Sequence, residues 1–394
     1  MIQRCIGCSA TYPLERIIYT CAACGQVLEI ALADSDLANS RFSGRGVWRY
    51  EPWLPADASD AATLQEGDTG LYPCERLARE VGINRLFIKN EGDNPTGSFK
   101  DRGMTVGVTW AARLGARAVA CASTGNTSAS MAAYAARRGL EAIVLIPDGK
   151  VAMGKLAQAV VHGARVVQVE GNFDDAMRLV QELSLGEGLI YLLNSINPFR
   201  LEGQKTLAFE VCETLNGVPD AVVLPMGNAG NISAIWKGFG EFQRAGLITR
   251  RPKMIGVQAA GAAPIVATLR NGADTCKLDN PETIATAIRI GAPVNWRKAV
   301  AAVKDSGGEA GTVTDDEILE AQRDLARLEG IFVEPASAAP IAYLRKRKWH
   351  DVDTVVCVTT GHGLKDPDAV LKKTPQLARV APTLNALRAA LGAK

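Results

Sequence analysis

The sequence has no long apolar run, no excess of charge of one sign and no secretory leader. No apolar run in its 394 residues approaches the length of about 20 residues that a membrane-spanning helix needs. The 44 basic and 42 acidic side chains give a net charge of +2, so nothing favours binding to nucleic acid or to an anionic membrane. The first residues, Met-Ile-Gln-Arg-Cys-Ile-Gly-Cys, lack the apolar core of a signal peptide. We therefore expect a cytoplasmic protein that binds neither nucleic acid nor membrane.

Histidine is scarce as well. The three histidines are His162, His350 and His362, and none has an evident serine and aspartate partner pattern of the kind that would indicate a hydrolase triad.

The apolar share of 47% and the charged share of 22% are those of a globular protein with a large core. The length allows two ordinary domains, or one large α/β body with a small appendage.

Four of the nine cysteines form two Cys-x2-Cys pairs, Cys5 with Cys8 and Cys21 with Cys24. Two such pairs favour a tetrahedral four-thiolate zinc ribbon over a pair of disulfides or four idle thiols. Residues 11–20 between the pairs are predicted to form a small hairpin. The role of the zinc would be structural, because four protein ligands leave no open position for chemistry.

From residue 86 onwards, short apolar strands alternate with helices almost to the end of the chain. Continuous apolar strands separated by helices predict an α/β fold with doubly wound parallel sheets, and the number of strands predicts two such sheets. The predicted strands are 86–88, 117–122, 142–146, 165–169, 189–193, 221–224, 254–258 and 354–358. The predicted helices are 99–114, 128–138, 151–162, 172–183 and 198–215, with another after the loop that follows residue 224.

The stretch from residue 94 to residue 103 reads Asn-Pro-Thr-Gly-Ser-Phe-Lys-Asp-Arg-Gly. Its first half is turn chemistry, and Ser98 is a suitable N-cap for the helix that follows. Lys100 would then lie in the first turn, where the helix macrodipole disfavours a charged ammonium. Such an amine suits a Schiff base with a carbonyl, although a lysine in a first turn is more often a solvated surface charge.

Three loops follow apolar strands at the positions where ligands bind in sheets of this kind. Residues 123–130 are rich in hydroxyl groups that could hold an anion or merely cap a helix. Residues 227–231 can fold their backbone around a phosphate at a helix N-terminus, and residues 359–363 form a third short polar loop. Together with a reactive lysine and no catalytic histidine, these loops point to pyridoxal phosphate chemistry.

The sequence resembles the threonine synthase family, pyridoxal-phosphate-dependent enzymes of fold type II in the same broad fold group as tryptophan synthase β and cysteine synthase. The resemblance extends from the cysteine pairs to about Pro367. One departure is Gly70, where the family more usually has proline, and we interpret it as a minor change to a loop. The segments that carry the resemblance are 97–103, 123–130, 227–231, 282–291, 332–339 and 360–367.

The resemblance implies a role for each matching residue. Lys100 would carry the cofactor on its amine and then act as the mobile acid and base. Asn126 would hydrogen-bond the phenolic oxygen of the cofactor, and Thr360 would face its pyridine nitrogen. The cofactor phosphate would be held by Gly227, Asn228, Ala229, Gly230 and Asn231.

The implied reaction converts O-phospho-L-homoserine and water into L-threonine and phosphate. The substrate carboxylate would suit the loop that contains Ser123 and Thr124. The resemblance assigns the substrate phosphate to a second set of side chains, with Asn228 near it. This set comprises Thr127, Asn194, Ser195 and Arg200.

Two alternatives remain open at this stage. The first is another enzyme of the same cofactor group, such as a serine/threonine dehydratase or a β-replacement synthase. Arg200 with Asn194 and Ser195 discriminates here, because a dehydratase has no substrate phosphate to hold. The second is a zinc-ribbon nucleic-acid-binding or regulatory protein with a degenerate enzyme body. The intact lysine and glycine loop and the near-zero net charge argue against it.

The expected domain arrangement has four parts. Residues 1–40 form a zinc-ribbon-like segment, residues 41–104 and 196–380 form a large α/β domain, residues 105–195 form a small inserted α/β domain, and residues 381–394 form a tail. Closure of the small domain on the substrate is a hypothesis, and a homodimer is implied by the resemblance alone.

Overall fold

Three β-sheets organise the chain. The structure is a computed structural model that describes residues 1–38, 40–148, 153–171, 173–187, 190–367 and 379–391. The first sheet is antiparallel with the order β2-β1-β3, and it consists of β1 (Ile2–Cys5), β2 (Thr11–Tyr12) and β3 (Leu28–Ala31).

The second sheet has six strands in the order β12-β11-β10-β13-β5-β4 and is parallel except for the edge strand β4. Its strands are β4 (Leu71–Pro73), β5 (Arg85–Asn90), β10 (Ala221–Pro225), β11 (Lys253–Ala259), β12 (Glu309–Val313) and β13 (Thr354–Thr359). The third sheet is parallel with the order β8-β7-β6-β9. Its strands are β6 (Ala118–Ala122), β7 (Glu141–Pro147), β8 (Arg165–Val169) and β9 (Ile190–Leu192).

Helices connect the strands and cover the two larger sheets. The first seven are α1 (Asp34–Leu37), α2 (Glu75–Val81), α3 (Lys100–Arg113), α4 (Asn126–Arg138), α5 (Met153–Val161), α6 (Phe173–Glu187) and α7 (Phe199–Gln204). The others are α8 (Thr206–Leu215), α9 (Gly230–Arg244), α10 (Pro264–Asn271), α11 (Trp296–Asp305), α12 (Asp315–Glu329), α13 (Pro335–Leu344) and α14 (Leu384–Ala390). Among the described residues, no helix has the length and apolar character needed to cross a membrane.

The predicted α/β fold with two mainly parallel sheets is confirmed. Every residue of β6, β10 and β13 is buried, as expected for parallel strands with helices on both faces. Each predicted strand has a counterpart, while β1, β3, β4 and β12 were not predicted. The predicted positions 151–152, 172 and 189 lie outside the described residues.

Two local predictions were wrong. Residues 11–20 do not form a hairpin, because Thr11–Tyr12 are their only strand and it pairs with β1, which also pairs with β3. Residues 198–215 form two helices rather than one, with Lys205 between them. The ammonium of Lys205 is buried between the carboxylates of Glu202 and Glu241, at 2.7 and 2.8 Å, so one local and one long-range ion pair accompany the interruption.

Candidate active site

The loop before Lys100 is held by the loop that follows β13. Ser98 forms an antiparallel bridge with Gly361, and the backbone N–H of Phe99 donates to the Thr360 carbonyl at 3.0 Å. Ser98 is not the N-cap that the sequence predicted, since Phe99 occupies that position. The buried hydroxyl of Ser98 has no hydrogen-bond partner among the described residues. These contacts bring two of the predicted site segments together and fix the start of α3.

Lys100 is the first residue of α3 and is half-buried. The pKa of its amine is lowered to about 7, first by burial and then by the positive charge of Arg200, while the carboxylate of Glu334 acts in the opposite direction. The predicted ease of deprotonation therefore has burial and Arg200 as its causes. An amine of this kind is a competent nucleophile towards a carbonyl at neutral pH.

Asn126, the first residue of α4, lies between the two larger sheets. Its Nδ2 atom donates to both carboxylate oxygens of Glu334, each at 3.1 Å. A Cβ atom on Gly361 would lie 2.6 Å from Glu334 Oε1 and 3.3 Å from Asn126 Nδ2, so a larger residue there would displace the Glu334 carboxylate. The segment around Glu334 carries part of the resemblance to the family, but no role was predicted for Glu334 itself.

The glycine loop between β10 and α9 is shaped to hold an anion. Ala229 has a φ angle of 61° and is the N-cap of α9. A Cβ atom on Gly227 would lie 3.0 Å from the Ala287 carbonyl oxygen. Both amide atoms of the buried Asn231 side chain have no partner among the described residues. A cradle of this kind at a helix N-terminus fits a phosphate group.

Two hydroxyl groups lie together at the end of β13. Thr360 Oγ1 and Ser337 Oγ are 2.9 Å apart, and Ser337 Oγ accepts from the backbone N–H groups of Thr360 and Gly361 at 2.8 and 2.9 Å. The neutral hydroxyl group of Thr360 is therefore held in place by Ser337. A hydroxyl, unlike a carboxylate, does not enforce protonation of a heterocyclic nitrogen.

Arg200 is an uncompensated cation inside the protein. Its side chain is 2% exposed, and its Nε atom has no partner among the described residues. Its Nη1 atom donates to the Leu193 carbonyl at 3.1 Å, and burial lowers the pKa of the guanidinium to about 10. A buried guanidinium of this kind recruits an anionic ligand.

The other predicted substrate residues lie at the ends of β6 and β9. The amide of Asn194 accepts from the backbone N–H of Ala122 and donates to its carbonyl, both at 2.9 Å. Ser123 Oγ accepts from the Gly125 N–H at 3.2 Å, while Thr124 and Thr127 are half-buried at the start of α4. The Asn194 side chain thus aligns the two strand ends.

The loop residues Asn228 and Ser195 both form hydrogen bonds with Asn295. The Asn228 carbonyl accepts from the backbone N–H of Asn295 at 3.1 Å, and the Ser195 carbonyl accepts from Asn295 Nδ2 at 3.0 Å. Asn295 was not predicted, and it connects the glycine loop to the segment before Arg200. The structure therefore brings the predicted cofactor and substrate segments side by side.

The four paired cysteines form one cluster. The sulfur atoms of Cys5, Cys8, Cys21 and Cys24 all lie within 4.8 Å of one another. The hydroxyl of Tyr12 lies 3.1 Å from Cys21 Sγ, and this hydrogen bond is the main cause that lowers the pKa of Cys21 to about 6. A group of four converging sulfurs matches the ligand set of a tetrahedral zinc site.

Comparison with known proteins identifies the relatives of this chain. Residues 62–361 match the family described as "Pyridoxal-phosphate dependent enzyme". The threonine synthase of Methanocaldococcus jannaschii is 57% identical over 401 aligned positions, which cover 98% of this chain and 98% of that protein. The threonine synthase of Mycobacterium tuberculosis is 53% identical over 336 positions, which cover 84% of this chain and 91% of that protein.

Solved structures show the same fold at lower identity. Maize serine racemase has a TM-score of 0.66 and 21% identity, with 75% of this chain and 88% of that chain covered. The processed form of threonine deaminase isoform 2 from Solanum lycopersicum has a TM-score of 0.64 and 24% identity, with 77% and 86% covered. These two similarities support the fold alone.

Proposed function

Because this chain belongs to the pyridoxal-phosphate-dependent enzymes and, within them, to the threonine synthases, we propose that it converts O-phospho-L-homoserine and water into L-threonine and phosphate. The observation that carries this proposal is the combination of Lys100 with the uncompensated guanidinium of Arg200. The first supplies an amine that loses its proton near pH 7. The second supplies a buried cation for a phosphate that a simple amino-acid substrate lacks.

The residues around Lys100 fit pyridoxal phosphate. The loop of residues 227–231 would hold its phosphate group at the start of α9. Asn126 would donate to its phenolic oxygen, and the Thr360 hydroxyl would face its ring nitrogen. When bound, the cofactor supplies an electron sink for negative charge that develops on the carbons of the substrate.

Lys100 would carry out the proton transfers. Its amine would remove the proton from the substrate Cα and would move further protons at Cβ, because it is tethered beside both carbons and its pKa lies near the working pH. Ser123 and Thr124 would bind the substrate carboxylate. The substrate phosphate, which leaves from Cγ before water adds at Cβ, would be bound by Thr127, Asn194, Ser195 and Arg200.

The four-cysteine cluster would hold a structural zinc ion. The sulfurs of Cys5, Cys8, Cys21 and Cys24 supply four ligands, so the ion would have no open position for catalysis. Its contribution would be to stabilise the small sheet β2-β1-β3.

The division of the chain into domains is part of the proposal. It comprises a ribbon of residues 1–40, a large domain of residues 41–104 and 196–380, a small domain of residues 105–195 and a tail of residues 381–394. The four-stranded sheet lies within the small-domain range and the six-stranded sheet within the large-domain range, which supports these boundaries. We further propose a cytoplasmic homodimer, as the resemblance to the family implies.

The test of this function is a steady-state assay that compares O-phospho-L-homoserine with serine and threonine as substrates. We expect release of phosphate and threonine from the first substrate only. Changing Lys100→Ala should lower turnover by at least about 100-fold, since general acid–base groups contribute about that much. The exposed Lys304 gives the matched control, and Lys304→Ala should retain activity. A Lys100→Ala enzyme with full turnover would refute the proposal.

A further inference from the structure

Glu334 lies where the two larger sheets meet the Lys100 loop. It directly precedes α13, and its side chain is 4% exposed. Its backbone N–H donates to the Gly361 carbonyl at 3.0 Å, and its own carbonyl accepts from the Ser337 N–H at 2.9 Å. The carboxylate therefore sits on a backbone that is fixed at both ends.

The carboxylate contacts Asn126, which lies on a helix that packs against the other large sheet. Asn126 follows β6 of the four-stranded sheet, whereas Glu334 precedes a helix packed against the six-stranded sheet. Both oxygens of Glu334 accept from the single Nδ2 atom of Asn126 at 3.1 Å. A carboxylate only accepts hydrogen bonds, so this arrangement fixes which end of the amide is the nitrogen and with it the orientation of the Asn126 side chain.

The charge of the same carboxylate acts on two lysine amines. Its negative charge raises the pKa of the Lys100 amine against the effects of burial and Arg200. Burial lowers the pKa of Lys365, in the loop after β13, and the negative charges of Glu334 and Asp101 act in the opposite direction. Lys100 and Lys365 are thus the two amines on which the charge of Glu334 acts, and Arg200 and Asp101 are the other charged groups that influence them.

We propose that Glu334 is a positioning residue with two effects: it orients the Asn126 amide towards the cofactor, and it keeps a negative charge beside the Lys100 amine during proton transfer. The inference rests on the proposed function, because both effects concern the same reaction. It adds a residue whose action passes through Asn126 and Lys100 rather than through direct contact with the substrate.

The sign of the pH effect follows from the charge. A carboxylate stabilises the protonated amine, so its removal lowers the pKa of Lys100. Proton removal needs the neutral amine, and activity is therefore lost as the pH falls through that pKa. Without the carboxylate, the acid limb of the kcat–pH profile moves to lower pH, since this profile reports groups in the substrate complex.

The experiment compares three variants of the full-length holoenzyme. We expect Glu334→Gln to lower the plateau kcat by about tenfold and to move the acid limb downward by about one pH unit. The KM for O-phospho-L-homoserine should change by less than about threefold, because the phosphate set is separate. Glu334→Asp keeps the charge but shortens the reach, so it should retain the acid limb while kcat still falls.

Glu320→Gln is the matched control, because it removes one carboxylate from an exposed position on α12 and should change neither quantity. The absorbance band of the bound cofactor, which needs no substrate, should move in Glu334→Gln and stay in place in the control. A wild-type acid limb and a wild-type absorbance band in Glu334→Gln would overturn the inference. An inactive wild-type protein whose absorbance band still responds to Glu334→Gln would refute the proposed function and leave the positioning of Asn126 intact.

Discussion

At the scale of single residues, two buried arginines differ in whether their positive charge is paired with carboxylates. Arg102 donates to Glu91 at 2.6 and 2.8 Å and to Glu210 at 2.6 and 2.7 Å, so its charge is neutralised within the fold. Arg200 has no comparable carboxylate among the described residues and keeps an unpartnered Nε atom. The first arginine is paired within the structure, whereas the second keeps a charge that, in the proposed function, would bind the substrate phosphate.

This contrast predicts different outcomes for the same substitution. Arg200→Leu should raise the KM for O-phospho-L-homoserine by about 10- to 100-fold, the value of a lost charge-assisted hydrogen bond, with no loss of thermal stability. Arg102→Leu should destabilise the protein by about 3–5 kcal/mol, because Glu91 would remain buried without its cation and Glu210 would keep only Lys89. Steady-state kinetics and denaturant unfolding measure the two effects. An unchanged KM in Arg200→Leu would favour a dehydratase instead.

The sequence predicted the chemistry of single residues better than their partners. Lys100 was predicted because turn residues, a helix start and an amine follow one another along the chain. Ser98 was assigned as an N-cap on the same local grounds, and this was wrong because its segment pairs with Gly361, more than 250 positions away. Glu334 was missed for a similar reason, since its contact with Asn126 spans 208 positions.

At the scale of elements, helices α3 and α7 cross at unusually close range around glycines. A Cβ atom on Gly203 would lie 1.7 Å from the Arg102 carbonyl oxygen, and one on Gly103 would lie 2.9 Å from the Arg200 carbonyl oxygen. The crossing therefore sets the position of α7, and with it Arg200, relative to the Lys100 helix. The sequence analysis did not predict this crossing, because the two glycines lie on helices about 100 positions apart.

Gly203→Ala should therefore destabilise the protein by at least about 3 kcal/mol, because a methyl group at this site collides with backbone that cannot move without shifting a helix. The control is Gly217→Ala, where a Cβ atom would lie 3.9 Å from its nearest neighbour, the Leu215 carbonyl oxygen, and should fit. Denaturant unfolding measures both. Equal stabilities for the two variants would contradict the close crossing of α3 and α7.

At the scale of the whole molecule, the cysteine ribbon connects the two larger sheets. The hydroxyl of Tyr19 lies 2.6 Å from Ser184 Oγ of α6 and accepts from the Leu192 N–H of β9 at 2.9 Å. On the other side, the Lys298 ammonium of α11 donates to the Leu28 carbonyl at 2.7 Å. The cysteine spacing predicted a metal site, but it carried no information on these surfaces because the contacts join residues 165 to 270 positions apart.

Removal of metal from the cysteine ribbon should therefore destabilise β9, which lies far from the cysteines in sequence. If the four thiolates hold zinc, a chelator or Cys8→Ser should unfold the small sheet and release Tyr19, and the amides of β9 should then exchange faster with solvent. Tyr19→Phe is the matched variant, because it keeps the metal ligands but leaves the Leu192 N–H without its acceptor, at a cost of about 1–3 kcal/mol. Hydrogen exchange of β9, together with zinc content, measures both effects without reference to catalysis. Unchanged exchange of β9 after complete loss of zinc would show that the ribbon does not brace the four-stranded sheet, whereas faster exchange in both variants would establish Tyr19 as the connection.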